Sequence, residues 1–287
     1  MIKWKYWLTL AGWKTNAWFQ STSLSRIPIL GSIWFRFKRL TARLLSSGQG
    51  VPVILDGEPI NIHPFAIAYG IKSWEPYTTK LFKNALKPGS TVLDIGAHHG
   101  YFSLLAAKCV GKEGMVYAFE PAPHNFDILK KNAAFNDFDN LISVNKAVSN
   151  NCTTMPFYFR QVTGVVGSLF PTRRSDEMTI PVECITIDSF PCRKPVDVVK
   201  MDIEGGEPLA LEGMAETLSK SENMVLFVEF NGGCLLQAGV DQETYLAQLD
   251  KAGFECQVIN EEMGCLEPIE PNLESCNLYC TKKISTK

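Results

Sequence analysis

The sequence predicts an α/β protein built on a doubly wound, mostly parallel sheet, and three features between residues 91 and 120 predict it. A β-branched and apolar run, Thr91 to Ile95, leads into a glycine-punctuated turn, Gly96-Ala-His-His-Gly100. An apolar helical stretch from Tyr101 to Val110 follows and stops at Gly111. A second apolar run, Met115 to Phe119, ends at Glu120, about twenty residues beyond the glycine turn. Strand, glycine turn, helix and strand make a β-α-β unit. An acid at the tip of its second strand stands where a ribose-binding carboxylate belongs.

The residue types in this unit narrow the ligand. Glycine lets the backbone approach a ligand closely, and a carboxylate at Glu120 can accept both ribose hydroxyls. A pyrophosphate-binding turn wants G-x-G-x-x-G, whereas Gly96 and Gly100 are four apart with no glycine between them. Asp94 beside the turn would repel a pyrophosphate but suits the ammonium of a methionine moiety. S-adenosyl-L-methionine is therefore expected in preference to a dinucleotide, held by Asp94, Gly96, Gly100 and Glu120, with His99 able to touch its methionine end. The plainer reading is an ordinary β-α-β unit with a tight turn.

The remaining elements follow in order. Residues 51 to 63 read as a hairpin turning at Asp56-Gly57, and Trp74 to Leu86 as a helix ended by Lys87-Pro88-Gly89. Pro123 to Phe135 is a helix and Leu141 to Val148 a third strand, whose tip at Ala147 and Val148 would lie beside the adenine. Residues 151 to 190 break the alternation: strand-like runs Met155 to Phe159 and Met178 to Ile187 flank a loop carrying Gly164, Gly167, Arg173 and Arg174. An insertion of this length is usually functional, and this one is expected to shape the acceptor pocket. Val196 to Ile203 is the fourth core strand, Pro208 to Leu218 a helix, and Met224 to Phe230 the fifth strand, before a Gly232-Gly233 turn. A helix from Tyr245 to Ala252 and strands Phe254 to Asn260 and Asn277 to Lys282 complete the pattern. Residues 1–65 form an aromatic, basic N-terminal region with the hairpin, and 66–287 the main domain.

With 287 residues, 46% hydrophobic and 20% charged, the chain can bury a sizeable core. Residues 1 to 55 carry eight Lys or Arg and no acid, which leaves an acidic body and argues against a nucleic-acid enzyme. Five of six tryptophans also fall before residue 45, and Ile33, Phe37, Leu40 and Leu44 form one helical stripe beside Arg36, Arg39 and Arg43. That composition suits a helix on an anionic membrane surface and equally a helix docked on the body. No cleavable leader and no bilayer-spanning run is expected. Nine cysteines without zinc spacing read as reduced, mostly buried thiols, and the compartment as cytoplasmic, with membrane association through residues 1–45 kept open.

The reaction is expected at the carboxyl ends of strands four and five. Lys200, Asp202 and Glu204 are two apart and share a face if the strand stays extended; Glu229 and Asn231 do the same next door. Charges at adjoining strand tips face a cavity or one another; a structural ion pair is the alternative. Methyl transfer to a hydroxyl needs a general base or a metal, since the proton must leave as the bond forms. Asp202 is the candidate base, with Lys200 and Glu204 beside it. Asp202, Glu204, Glu229 and Asn231 are also an all-oxygen set that suits a hard divalent cation, with Asp202, Glu229 and Asn231 as its first candidate ligands. Glu75 stands beside Pro76, where it could close the pocket or simply be solvated.

The chain resembles the FkbM-type methyltransferases on Thr91 to Ser103, Val116 to Pro121, Ala147 to Ser149, Thr186 to Asp188, Val199 to Glu207 and Val228 to Phe230. The lysine-x-aspartate-x-glutamate-glycine run is the most specific of these. The resemblance implies a class I, Rossmann-like, seven-stranded sheet with an antiparallel last strand. It also implies O-methylation of a hydroxyl on a glycan, glycolipid or natural-product acceptor. One departure is visible: asparagine usually stands where this chain has His98. A non-catalytic cofactor-binding module tethered to a membrane or assembly is the competing reading, and a nicotinamide oxidoreductase is excluded by the missing middle glycine.

Overall fold

The computed structural model describes residues 49–283 apart from 69–70, 72–74, 161–166, 172–176, 194 and 272. The helices expected in the N-terminal region, Trp74, Gly164, Arg173 and Arg174 lie outside the described residues. Among the described residues, the expected hairpin is strands β1 (Val51–Leu55) and β2 (Glu58–Ile62), followed by helix α1 (Pro64–Ala68). Helix α2 (Pro76–Ala85) precedes the β-α-β unit of β3 (Thr91–Ile95), α3 (Tyr101–Val110) and β4 (Met115–Phe119). Helix α4 (Pro123–Ala134) and β5 (Leu141–Val144) follow.

The second half holds β10 (Val198–Met201), β11 (Val225–Asn231), α8 (Gln242–Lys251), β12 (Phe254–Asn260), β13 (Cys265–Glu267) and β14 (Ser275–Lys282). The main sheet runs β13-β12-β14-β11-β10-β3-β4-β5. Strands β5, β4, β3, β10 and β11 are parallel, and β14 pairs antiparallel with both β11 and β12. This is the seven-stranded plan with its reversed strand, to which three-residue β13 adds an eighth at the edge.

Alternation of side chains along each strand explains the two layers. Val92, Val116, Val198 and Phe227 enter one core with α3 residues such as Leu104 and Leu105. Their neighbours Leu93, Tyr117, Val199 and Leu226 enter the other, with Leu211, Leu218 and Leu249. Val51, Leu55, Ile60, Ile62 and Phe65 belong to the first core.

Four expectations are corrected. The third strand is not continuous to Val148. Asn145 donates its side-chain amide to the carbonyls of Glu120 (2.8 Å) and Pro121 (3.0 Å), which turns the chain. Strand β6 (Ala147–Val148) then leaves the main sheet and pairs with β9 (Glu177–Ile185). The insertion is thus a second sheet, β6-β9-β7-β8, with β7 (Thr154–Arg160) and β8 (Gly167–Ser168).

The helix expected over 208–218 is two helices, α5 (Glu207–Glu212) and α6 (Ala215–Lys220). Gly213 separates them because a Cβ there would sit 2.0 Å from the Ser149 carbonyl oxygen. The Asp188 carboxylate caps the second helix by accepting from the amides of Glu216 and Thr217, both at 2.8 Å. Gly232 and Gly233 do not form a free turn but open α7 (Gly232–Gln237), capped by Asn231, whose side-chain oxygen accepts from Cys234 N at 3.2 Å. Finally, the thiols are neither all reduced nor mostly buried. Cys256 and Cys280, cross-strand partners on β12 and β14, are joined as a disulfide, and of the seven free cysteines only Cys184 is buried.

Candidate functional site

A cavity of about 320 Å³ opens at the carboxyl ends of β3, β4, β10 and β11. Its floor is set by a close approach of two backbones. Gly96 has φ +88, and a Cβ on it would lie 1.9 Å from the Asp202 carbonyl oxygen, so only glycine lets the turn after β3 rest on the tip of β10. Asp94, Gly96, His99, Glu120, Ala147 and Val148 line one half. Gly100 does not line it; at φ +92 it begins α3 and packs against Leu129, holding the turn from behind.

Glu120 is 5% exposed, and its carboxylate accepts from the backbone amides of His98 (2.8 Å) and Ala122 (2.9 Å). Burial pushes it up to about 7 against the pull of those amides. Asp94, buried on β3, accepts from the Ser103 hydroxyl of α3, and burial raises it to about 6. His98 adopts φ 51, and its ring lies 3.8 Å from that of His99. Burial lowers His98 to about 4, while nearby Asp202 favours its charged form.

The other half gathers charge. Lys200 is 1% exposed and directly opposite Asp94 in the β10–β3 register. Its ammonium is 3.5 Å from Asp202 Oδ2 and from Asn277 Oδ1, and 5.3 Å from the centre of the Phe102 ring. Burial alone would discourage that charge, but the carboxylates of Asp202, Glu75, Glu229 and Asp94 outweigh it and raise the lysine above its ordinary value.

Strand β10 stops at Met201, so Lys200, Asp202 and Glu204 do not share a face by extended periodicity. Glu204 is instead brought in by a turn in which it takes φ 52. Glu207 shapes that turn: its buried carboxylate accepts from Ile203 N (2.9 Å) and Gly205 N (2.8 Å). The Ser168 hydroxyl ties the inserted sheet to the same turn, donating to the Glu204 carbonyl at 2.7 Å.

One oxygen from each of Asp202, Glu204 and Glu229 falls within 4.8 Å of the others. Three of the four expected oxygen ligands thus come together. Asn231 spends its oxygen on the α7 cap and points its amide nitrogen at Glu204 Oε2, 3.5 Å away. Burial, then Asp202 and Glu204, push Glu229 up to about 10, and burial with Asp202 raises Glu204. Burial and mutual repulsion thus favour the protonated forms of Glu229 and Glu204.

Two contributors were missed or undervalued from sequence. Glu75 is no solvated acid: it lines this cavity, and burial raises its pKa against the pull of Lys200. Asn277 comes from the far C-terminal strand, and no local signal marks it. A second cleft of about 390 Å³, lined by Glu75, Glu229, Glu261, Glu267, Asn260 and Asn277, meets the first at Glu75 and Glu229. Glu261 holds the start of α2 in place, accepting from the amides of Tyr77 and Thr78 at 2.8 Å each.

The parallel sheet with one reversed strand, the glycine turn and the acid at the tip of β4 define a class I methyltransferase fold. A match to the Methyltransferase FkbM domain covers residues 94–256, and the chain belongs to that family. It is 25% identical over 171 residues to an arsenite methyltransferase of Halobacterium salinarum, covering 60% of this chain and 39% of that protein. It is 27% identical over 158 residues to the methyltransferase sdnD of Sordaria araneosa, covering 44% and 60%. The aligned segments thus span less than two thirds of either relative. Among solved structures it is similar to a SAM-dependent O-methyltransferase of Thermotoga maritima, at 11% identity and a TM-score of 0.45 over 86% of this chain and 83% of that one.

Proposed function

We propose that this chain transfers the methyl group of S-adenosyl-L-methionine to a hydroxyl of a glycan, glycolipid or natural-product acceptor. The observation that carries the reading is one cavity whose lining has two groups of residues, Asp94, Glu120, Ala147 and Val148 in the first and Lys200, Asp202, Glu204 and Glu229 in the second. In the first, Glu120 takes the ribose, Asp94 faces the ammonium of the methionine, and Ala147 and Val148 flank the adenine. In the second, Asp202 drives removal of the acceptor's proton, while Lys200 and Glu204 fix the geometry around it. Carboxylates suit an oxygen acceptor, and the second cleft gives a larger acceptor a path to Glu229. Positioning in a dry pocket supplies most of the rate, because displacement at a sulfonium carbon needs alignment above all.

Calorimetry with S-adenosylhomocysteine, and NAD as control, tests the cofactor assignment. Micromolar binding of the former alone is expected. Binding of neither would favour a degenerate site and the non-catalytic reading.

A divalent cation on Asp202, Glu204 and Glu229 is the second reading of the acidic half, favoured by their mutual approach. If it takes part, exhaustive chelation abolishes methyl transfer to acceptors screened with labelled cofactor, and added Mg²⁺ or Mn²⁺ restores it. Unchanged turnover in chelator would leave the metal-free route. We also infer that residues 1–45 contact an anionic membrane, from their basic and tryptophan-rich composition. No described helix is long and apolar enough to cross one. Deleting residues 1–45 is expected to abolish sedimentation with phosphatidylserine vesicles, and retained sedimentation would refute the contact.

A further inference from the structure

We propose that Asn132 is a positioning residue for the cofactor, and that through it the N-terminal hairpin holds the glycine turn in its binding shape. The inference rests on the cofactor reading of that turn. It gives a role to a hairpin that precedes the matched family region, which begins at residue 94.

The turn after β3 depends on outside partners. Gly96, His98 and Gly100 take φ of 88, 51 and 92, left-handed values at three of its five positions. Within the turn, the Gly100 amide donates to the Ala97 carbonyl at 2.7 Å. The other bonds run outward: the amides of Gly96 and Ala97 donate to the Phe119 carbonyl at 3.0 and 2.9 Å, and that of His98 to the Glu120 carboxylate at 2.8 Å. These partners belong to β4 and its tip.

Helix α4 supplies the opposing support. Asn132 is fully buried, and its side chain bridges two segments. Its Nδ2 donates to the His99 carbonyl at 2.8 Å, and its Oδ1 accepts from the His63 amide, at the end of the hairpin, at 2.6 Å. A planar amide offers a donor and an acceptor together, which is what a carbonyl on one side and an N–H on the other require. The His99 carbonyl belongs to the peptide that leads into Gly100, so its direction sets where the turn enters α3. Phe65, just past the hairpin, also meets His99 edge-on, with ring centres 5.8 Å apart.

Asn136 provides an internal comparison. It fastens the same hairpin to the end of the same helix, accepting from the Asn61 amide and donating to the Asn61 carbonyl, both at 2.7 Å. Its remaining bond goes to the Asn132 carbonyl at 2.6 Å, not to the turn.

The test uses the full chain, with S-adenosylhomocysteine as the probe and calorimetry at a temperature where circular dichroism shows each protein folded. Asn132→Asp keeps the shape and the acceptor. When ionised, the introduced carboxyl sets an oxygen against the His99 carbonyl; when protonated, it regains a donor. The titratable groups around the bridge are His63 on the hairpin, His98 and His99 on the turn, and His124 and Lys131 on α4. Burial lowers His63 and His98 to about 4 and His99 well below its ordinary value, so these three stay neutral across the range tested.

Relative to the wild type at the same pH, Asn132→Asp is expected to bind about tenfold more weakly at pH 8 and to recover most of that loss at pH 5. Asn136→Asp is expected to lose thermal stability and to bind as the wild type does at both values. In the wild type, binding must steady the bridge in return, so hydrogen exchange at the His63 amide should slow more than at the Asn61 amide when the probe is added. A ratio for Asn132→Asp that does not change with pH, an equal loss of affinity in both variants, or equal slowing at His63 and Asn61 would each overturn the proposal. If Asn132→Asp does not fold, the exchange measurement decides alone. Failure of the wild type to bind the probe would overturn the cofactor reading itself, and the proposal with it.

Discussion

Lys200→Met is expected to destabilise the protein by about 3–5 kcal/mol at neutral pH, the usual consequence of removing one partner from a buried set of charges. Methionine fills much the same volume, so the effect isolates the charge. The ammonium is 1% exposed, and four carboxylates depend on it: Asp202, Glu75, Glu229 and Asp94. Without it, Asp94 and Glu75 lose an influence that lowers their pKa and move further up.

The pH dependence follows from the sign of those shifts. A carboxyl whose folded pKa is raised lends stability below its unfolded value and loses it as pH rises through the folded one. Asp94, already at about 6 in the intact protein, loses that contribution between about pH 4 and 6 and later still in the variant. The deficit of Lys200→Met should therefore be larger at pH 8 than at pH 5. Urea unfolding at the two pH values measures it, and a deficit independent of pH would mean that Lys200 acts through packing alone.

What could be read from the sequence is what short-range physics sets. The β-α-β unit is legible because apolar periodicity, Gly96 and Gly111 all act within thirty residues, and the observed bounds of β3, α3 and β4 match. Breaks made by distant partners are not legible. Asn145 turns the chain by reaching the carbonyls of Glu120 and Pro121, and Gly213 interrupts a helix because Ser149 lies against it. Neither partner can be seen from local propensity.

The candidate site divides in the same way. Lys200 and Asp202 are legible as polar residues in an apolar strand. Glu204 reaches the cluster by a left-handed turn rather than by strand alternation, Asn231 is diverted to a helix cap, and Glu75 and Asn277 are delivered from opposite ends of the chain. Glu207 was visible in the family-like run, but its buried role, bracing the Ile203–Gly205 turn, needs coordinates to see.

Glu120→Ala is expected to weaken S-adenosylhomocysteine binding by well over tenfold. Two contributions add. If Glu120 takes the ribose as proposed, the hydroxyls lose charge-assisted hydrogen bonds, each about 1.5–3 kcal/mol. The amides of His98 and Ala122, which now donate to the carboxylate at 2.8 and 2.9 Å, also lose their acceptor, which loosens the turn that forms the cavity wall. Glu120→Gln separates the two, because its amide oxygen can still accept from one backbone donor while the charge is gone.

If Glu120 holds ribose directly, the glutamine variant keeps its thermal stability but still binds the ligand poorly. If Glu120 only braces the turn, the glutamine variant recovers most of the affinity. The pKa of about 7 adds a further check: ribose hydroxyls donate best to the ionised carboxylate, so affinity should rise from pH 6 to pH 8 in the wild type and stay flat in Glu120→Gln. Calorimetry across that range decides it, since a parallel rise in both proteins would assign the titration to another group and leave Glu120 as a brace.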